Sequence, residues 1–185
     1  LCDQYGSLLI FDEILTGFRM APGGAPSYYG VIPDFSAFAK AMANGYPLSA
    51  FAGKKEAMKA LEKTILTTTY AGETLSMAAC CATLEVMHTE KVHDHLYAMG
   101  RRLRDGFDEI RREFNIPAVM YGLEVSQTIA FTVPEPQATA MYNRFYSLLF
   151  QKGVFANVRW FVSYSHQPAD IDETLDKMRQ AMKEL

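Results

Sequence analysis

Two ionisable residues in the first part of the chain have types and positions that chemistry can use. Asp12 follows a short apolar run, residues 7–11, which predicts a strand buried on both faces, as in parallel sheets. Ligands of open α/β sheets bind at the carboxyl ends of such strands. Lys40 lies within the apolar residues 38–42, where an amine is costly to bury unless it is paired or neutralised. Each residue alone also has an ordinary interpretation, a cap for the aspartate and a side chain that reaches solvent for the lysine.

The segment between these residues favours a shared role for them. Residues 16–34 are rich in glycine and proline, which predicts a loop, and so long a loop inside a compact domain is typical of function. Pyridoxal phosphate chemistry requires a buried lysine that forms a Schiff base and a carboxylate that keeps a heterocyclic nitrogen protonated. The pair therefore points to a pyridoxal phosphate site.

The composition narrows the class of protein. The 185 residues are 49% hydrophobic and 21% charged, with a formal net charge of -3, which is typical of a globular chain and argues against nucleic acid as the main partner. No apolar stretch approaches the ~18 residues of a membrane span, so no membrane partner is expected. Three cysteines without a disulfide framework predict a reducing compartment, the cytoplasm, and no motif predicts a metal.

The elements that must position Asp12 and Lys40 are predicted to form an α/β domain with a mainly parallel sheet over residues 1–90, followed by a small α+β domain over 91–185. The first domain is predicted to contain a strand over 48–52 and helices over 54–62 and 74–87. Because the chain starts without Met just before a buried strand, we expect it to be the C-terminal part of a longer protein.

The second domain contains the most regular pattern in the sequence. Apolar residues recur at spacings of three and four and predict one helix with a buried stripe: Val92, Leu96, Met99, Leu103, Phe107, Ile110 and Phe114. After it we expect strands over 118–123 and 127–133, a helix over 137–152, strands over 154–155 and 160–164, and a last helix after Pro168 with Asp170 as its N-cap.

Several segments resemble one known family. The run LIFDEILTGFR at 9–19, together with residues 30–40, 44–50 and 68–79, resembles the cofactor-binding region of class III aminotransferases of pyridoxal phosphate fold type I. The tail over 153–172 is similar to the branch that contains glutamate-1-semialdehyde aminomutase. The resemblance covers nearly the whole chain, most densely over 7–80. It implies the C-terminal part of the large domain of that fold, followed by the small domain.

The resemblance also implies roles for individual residues. Asp12 would pair with the pyridine nitrogen of pyridoxal phosphate, Ile14 would pack on the ring, and Lys40 would form the Schiff base. Thr69 would hydrogen-bond the cofactor phosphate, in this family typically that of the neighbouring subunit's site, which implies a homodimer. The implied reaction is amino transfer between a small-molecule amino donor and an aldehyde or keto acceptor. Glu13, Thr16, Arg19 and Asp34 match the pattern as supporting residues.

Departures from the pattern keep alternatives open. Val158 lies near the place where the aminomutase has a glutamate, which favours an aminotransferase and leaves intramolecular amino transfer as the alternative. Arg159 either binds a substrate carboxylate or is an exposed arginine at a strand edge. The glycine-rich phosphate loop of the family lies upstream of Asp12 and is absent from this sequence. A catalytically incomplete fragment that does not hold cofactor alone is therefore the alternative from outside the enzyme class.

The histidines of the second domain are not predicted to form a metal site. His93 and His95 point in different directions on a helix and are interpreted as a solvated helix start. His166 either lines the substrate region or is a packed or capping residue, and the second interpretation is favoured.

Overall fold

The computed structural model describes residues 1–64 and 68–185 and shows an α/β chain of two compact units, Leu1–His93 and Asp94–Leu185. Unit 1 contains helices, strands and two short 3-10 turns in the following order: α1 (Cys2–Tyr5), β1 (Ile10–Glu13), α2 (Gly24–Tyr29), β2 (Phe35–Phe38), the first turn (Lys40–Met42), β3 (Ala50–Gly53), α3 (Lys55–Met58), the second turn (Lys59–Lys63) and α4 (Thr74–Thr89). Helix α5 (Val92–Glu113) begins at the end of unit 1 and continues into unit 2.

The sheet of unit 1 has the order β1-β2-β3 and mixes two strand directions. Strands β1 and β2 are parallel, whereas β2 and β3 are antiparallel. The prediction of a mainly parallel sheet is therefore wrong for β3. Parallel neighbours need a long crossover, usually a helix, and the connection over 39–49 contains only a 3-10 turn and bends.

Short elements of unit 1 differ from the sequence expectations. The predicted loop over 16–34 contains α2, and the strand β2 that leads to Lys40 was not predicted. The helix expected over 54–62 is α3 followed by a 3-10 turn, and the strand expected over 48–52 begins at Ala50. Unit 1 has a small apolar core that contains Met42, Ala43 and Cys80. The half-buried residues Phe18, Phe38, Leu48 and Ala50 pack around it.

Unit 2 is built from the rest of α5 and five further elements: β4 (Ala118–Leu123), β5 (Ser126–Phe131), α6 (Gln137–Gln151), β6 (Arg159–Trp160) and α7 (Pro168–Lys183). Its sheet is antiparallel with the order β4-β5-β6. The predicted stripe of α5 is buried at every position except Phe114, which is half-buried at the frayed end. The apolar face of α5 is therefore buried, as the spacing of its residues predicts.

Two details of unit 2 correct the sequence expectations. Residues 154–155 form no strand, and the strand expected over 160–164 is the two-residue β6. Helix α7 begins at Pro168 with Gln167 as N-cap, so Asp170 is the third residue of the helix rather than its cap. The fixed φ of proline suits the first helical position, and the Asp170 carboxylate accepts the N–H of Gln167 at 2.7 Å.

A close approach ties α5 to the hairpin between β4 and β5. The buried Gln127 side chain donates through Nε2 to the carbonyl of Gly100 at 2.8 Å and to that of Glu124 at 3.2 Å. A Cβ at position 100 would overlap the Glu124 carbonyl oxygen. Only glycine therefore lets the helix backbone lie this near the hairpin.

Candidate functional site

The carboxyl ends of β1 and β2 bring Asp12 and Lys40 to one edge of the sheet. The parallel register pairs Asp12 with Ala37 and Glu13 with Phe38, so the two strands end side by side. Lys40 opens the 3-10 turn that follows β2 after a single residue. Hydrogen-bonded strands lie about 4.8 Å apart. A carboxylate near the end of β1 and an amine just after β2 thus lie at the edge where α/β sheets bind ligands.

Asp12 is exposed and partly committed to its own turn. Its Oδ1 accepts the N–H of Ile14 at 3.0 Å, and Thr16 Oγ1 contacts its backbone carbonyl at 3.5 Å. The capping interpretation is therefore correct for one oxygen. Within residues 1–64 and 68–185, Oδ2 has no hydrogen-bond partner. The carboxylate is oriented by the turn and keeps one oxygen for a ligand.

Lys40 is exposed, so the prediction of a buried lysine is wrong for the described chain. The apolar neighbours that turn inward are Met42 and Ala43, which leaves the first residue of the turn outside. Its backbone is left-handed, with φ 48°, a conformation that L residues other than glycine seldom adopt. No acidic side chain of the described residues pairs with its amine. The turn therefore defines the backbone conformation of Lys40, and the exposed amine is available to a ligand.

The other two predicted site residues differ in their relation to this edge. Ile14 follows β1 directly, is half-buried, and is tied to Asp12 through its N–H. Thr69 is exposed in a turned segment, and among the described residues no hydrogen bond joins it to Asp12 or Lys40. Its neighbours Thr68 and Tyr70 line a cavity of about 380 Å³ together with Pro47, Leu48, Ser49, Ala71, Gly72 and Met77. Asp12, Ile14 and Lys40 thus lie at or just after the carboxyl ends of β1 and β2, whereas Thr69 belongs to another segment of unit 1.

The Glu13 side chain connects β1 to the loop over residues 16–34 through hydrogen bonds. Its side chain is only 1% exposed and accepts Thr16 Oγ1 at 2.8 Å and the Ala25 N–H at 2.9 Å. A Cβ at Gly24 would lie 2.8 Å from the carboxylate, and the φ of Gly24 is +65°. Both the space and the backbone therefore require glycine there. The supporting role predicted for Glu13 and Thr16 has this physical form.

Asp34 supports the opposite end of the sheet. Its carboxylate accepts the Leu9 N–H at 2.8 Å and lies 2.8 Å from Lys54 Nζ. The hydrogen bond from Lys54, followed by that from the Leu9 amide, lowers the pKa of Asp34. Burial lowers the pKa of Arg19, another residue predicted to be supporting.

Sequence reasoning missed the contacts that hold the Lys40 turn. Met42 and Ala43 pack on Cys80 of α4, and Asn44 Nδ2 donates to Thr83 Oγ1 at 3.3 Å. The Asn-Gly pair at 44–45 is a turn signal that indicates a left-handed residue. Nothing in the sequence marks Thr83 as its partner.

In unit 2, Arg159 is exposed on the edge strand β6, as the second of its two interpretations predicts. It also lines a cavity of about 340 Å³ with Phe155, Phe161 and His166 among its walls. No carboxylate of the described residues pairs with its guanidinium. The structure therefore leaves the arginine available to an anion.

The histidines have structural contacts. His93 is half-buried with Nε2 3.1 Å from the Phe18 carbonyl, and His95 Nε2 lies 2.7 Å from the His166 carbonyl. The interpretation of a solvated helix start is therefore wrong for these two side chains. His166 Nδ1 accepts the Ser163 N–H at 3.0 Å, as a capping histidine would. The part of the chain that the structure describes contains no cluster of three possible metal ligands and no helix suited to spanning a membrane.

Known proteins share both the sequence pattern and the fold. The aminotransferase class-III family profile matches residues 1–182. The structure of the pyridoxal phosphate internal aldimine form of the FumI protein of Sphingopyxis sp. MTA144 is 27% identical, with a TM-score of 0.91 over 99% of this chain and 44% of that chain. An omega-transaminase from Sphaerobacter thermophilus is 25% identical, with a TM-score of 0.88 over 98% of this chain and 45% of that one.

An S-selective transaminase from Bacillus megaterium, at 23% identity and a TM-score of 0.83, shares the fold over 99% of this chain and 45% of its own length. The chain thus spans less than half the length of the solved structures it matches. The family match, which extends over residues 1–182 from the first helix to the last, shows that this chain belongs to the aminotransferase class-III family.

Proposed function

We propose that the protein is a pyridoxal-phosphate-dependent aminotransferase that moves an amino group between a small-molecule donor and an aldehyde or keto acceptor. The observation that carries the proposal is the placement of Asp12 and Lys40 at the carboxyl ends of adjacent parallel strands, Asp12 as the third residue of β1 and Lys40 two residues after β2. Membership of the class III family supports it. We further propose that Leu1–His93 corresponds to part of the large domain of fold type I and Asp94–Leu185 to its small domain.

The donor set at this edge fits pyridoxal phosphate. A protonated ring nitrogen needs an anionic acceptor, and the Asp12 carboxylate is exposed with Oδ2 uncommitted in the described chain. An aldehyde carbon needs an unpaired amine, and the Lys40 amine is exposed without an acidic partner there. Ile14 supplies a half-buried apolar side chain beside the carboxylate. The residues present therefore match three different groups of the cofactor.

Each residue then has a defined task. The bound cofactor supplies an electron-withdrawing ring. Asp12 holds the proton on the ring nitrogen, and the Ile14 N–H keeps the carboxylate oriented while it does so. Lys40 would hold the cofactor through its amine, and the same amine in its free form would accept and return a proton as a general base. Ile14 packs on the ring and keeps water from that face.

Three further assignments belong to this proposal. Thr69 donates its hydroxyl to the phosphate of a neighbouring copy's cofactor, in a homodimer in the cytoplasm. Its exposure is compatible with that role. Arg159 binds the carboxylate of the acceptor, because its guanidinium has no ion-pair partner in the described chain and borders a partly aromatic cavity.

Two alternatives belong beside this proposal. Intramolecular amino transfer of the aminomutase type would use the same Asp12 and Lys40, and Val158 in place of a glutamate disfavours it. A chain that does not hold cofactor alone is the other alternative, since the matched structures are more than twice as long.

Absorbance of the purified chain with pyridoxal phosphate, before and after borohydride, tests the proposal. We expect an imine band and a reduced adduct on Lys40 by peptide mass analysis, both lost in Lys40→Ala. Lys55→Ala, which removes another exposed lysine of unit 1, is the matched control and should keep both. A folded chain that gives no adduct on Lys40 would contradict the proposal and favour the incomplete-fragment alternative.

A further inference from the structure

Lys40 is exposed and has no side-chain partner in the described chain, so some other part of the molecule must fix where its amine lies. We propose that Asn44 is the positioning residue for Lys40 and that Thr83 of α4 holds Asn44 in that role. The inference rests on the proposed function, because it assigns a task to the turn that carries the reactive amine.

The backbone gives the first argument. Lys40 and Asn44 are both left-handed, with φ 48° and 46°, and they enclose the buried residues of the turn. The Lys40 carbonyl accepts the N–H groups of Ala43 at 3.2 Å and Asn44 at 3.1 Å. Asparagine tolerates the left-handed region better than lysine does. Asn44 therefore closes the turn at low cost and helps to impose the conformation that Lys40 would seldom adopt alone.

The Asn44 side chain gives the second argument. Its Nδ2 donates to Thr83 Oγ1 at 3.3 Å, and that hydroxyl donates its own proton to the Ala79 carbonyl at 2.9 Å. A hydroxyl has one proton and two lone pairs, so both bonds can exist together. The bond to the Ala79 carbonyl fixes the orientation of the Thr83 hydroxyl. A lone pair of the Thr83 oxygen is therefore directed toward Asn44.

The packing of the turn gives the third argument. Met42 and Ala43 are buried against Cys80, which lies one helical turn before Thr83 on α4. The turn thus touches one helix twice, through apolar contacts and through Asn44. Two attachments to a 16-residue helix hold a short turn more firmly than its own hydrogen bonds can. A displacement of about 1 Å at a reacting group can lower a rate about a hundredfold.

Four variants separate positioning from mere stability. Thr83→Val removes the acceptor for Asn44, whereas Thr83→Ser keeps it. Thr89→Val is the matched control, because Thr89 makes the same kind of bond to the Glu85 carbonyl at 2.9 Å on the same helix. Asn44→Gly keeps a left-handed backbone, loses the amide, and provides a second test should Thr83→Val fail to fold.

Two measurements are made on each variant. Amide hydrogen exchange of the peptide that covers residues 39–45 reports on the turn and needs no cofactor. The rate of the borohydride-trapped pyridoxal phosphate adduct on Lys40, relative to that on Lys55, reports on the amine. We expect Thr83→Val and Asn44→Gly to exchange faster over 39–45 and to lose about tenfold or more in relative trapping at Lys40. Thr83→Ser and Thr89→Val should match the parent chain in both.

The outcomes are distinguishable. Unchanged exchange in Thr83→Val would overturn the attachment to α4 itself. Faster exchange with unchanged trapping would overturn the positioning role and leave a structural contact. A parent chain that traps no more cofactor at Lys40 than at Lys55 would overturn the proposed function and this inference with it, whatever the exchange rates are.

Discussion

The two units bury their side chains in different ways. Unit 2 encloses large apolar side chains almost completely, among them Phe107, Ile110, Phe145, Leu148, Leu149, Met178 and Met182. Unit 1 buries fewer apolar residues, and three of them, Met42, Ala43 and Cys80, pack together at the Lys40 turn, while the buried carboxylate of Glu13 binds the loop. Helix α4 of unit 1 meanwhile exposes four apolar residues, Leu75, Met77, Leu84 and Val86.

The unit with the larger apolar core is not the unit that contains the proposed reactive residues. Burial of large apolar side chains is the main favourable contribution to folding, so unit 2 has a core able to stabilise its own fold. In unit 1 the buried groups are few and polar contacts carry much of the order, as at Glu13 and Asn44. The unit that contains the proposed reactive residues is therefore the one with less apolar stabilisation.

The largest effect that tests this comparison is expected in unit 2. Phe145→Ala removes a fully buried ring that contacts Phe131, and it should lower the free energy of unfolding by about 3–5 kcal/mol. Urea unfolding followed by the fluorescence of Trp160, the single tryptophan, measures it within the same unit. Phe150→Ala on the same helix is the control, because that ring is 66% exposed and should change the value by no more than about 0.5 kcal/mol. Equal losses for both variants would refute the description of unit 2 as a closed core.

A smaller effect is expected at two ion pairs that join residues distant in sequence, Lys54–Asp34 in unit 1 and Arg102–Asp172 in unit 2, and they sharpen the comparison. The hydrogen bond from Lys54 lowers the pKa of Asp34 in unit 1, and that from Arg102 lowers the pKa of Asp172 in unit 2. A carboxylate with a depressed folded-state pKa contributes stability above its unfolded pKa, about 3.9, and that contribution is lost as the pH falls through the folded value.

Carboxyl titration by NMR measures these pKa values directly. Lys54→Met should raise the pKa of Asp34 and leave that of Asp172 unchanged, whereas Arg102→Met should do the reverse. Because the Leu9 N–H still binds Asp34, its pKa should remain below the ordinary value in Lys54→Met. A change of both pKa values in one variant would show that the two pairs are not independent.

The smallest effect on stability is expected for Arg159. This side chain is exposed on the edge of the unit 2 sheet, so Arg159→Ala should change the free energy of unfolding by no more than about 0.5 kcal/mol. Its predicted effect is on substrate: KM for an acidic keto acceptor should rise more than KM for an uncharged aldehyde. Equal KM changes for the two acceptors would show that Arg159 does not bind the substrate carboxylate and is only an exposed residue of the edge strand.

Secondary structure and burial are predicted best from the sequence where one apolar repeat extends along a whole helix. The stripe of α5 repeats over 22 residues, so its burial follows from spacing alone. Strand β2 has only four residues, includes the buried Ser36, and lacks a pattern that would identify it. The direction of β3 depends on pairing with a distant strand, which local preference does not determine.

The site shows the same limit at smaller scale. The apolar neighbours of Lys40 correctly indicate that its segment packs inward, but they do not indicate which residue stays outside. The left-handed backbone at Lys40 decides that, and lysine is not a residue whose type signals such a conformation. The residues of the candidate site could therefore be proposed from the sequence, whereas the contacts that hold them could not.

The contact between Gly100 and the hairpin has a consequence for the longest helix. A stripe that repeats every turn looks nearly the same after α5 slides by one turn, about 5.4 Å, so apolar packing alone permits several registers of similar energy. Only one register brings the glycine against the Glu124 carbonyl, where the Gln127 amide can bind both backbones. Gly100 thus determines the register of α5 on the hairpin, which the apolar stripe alone does not determine.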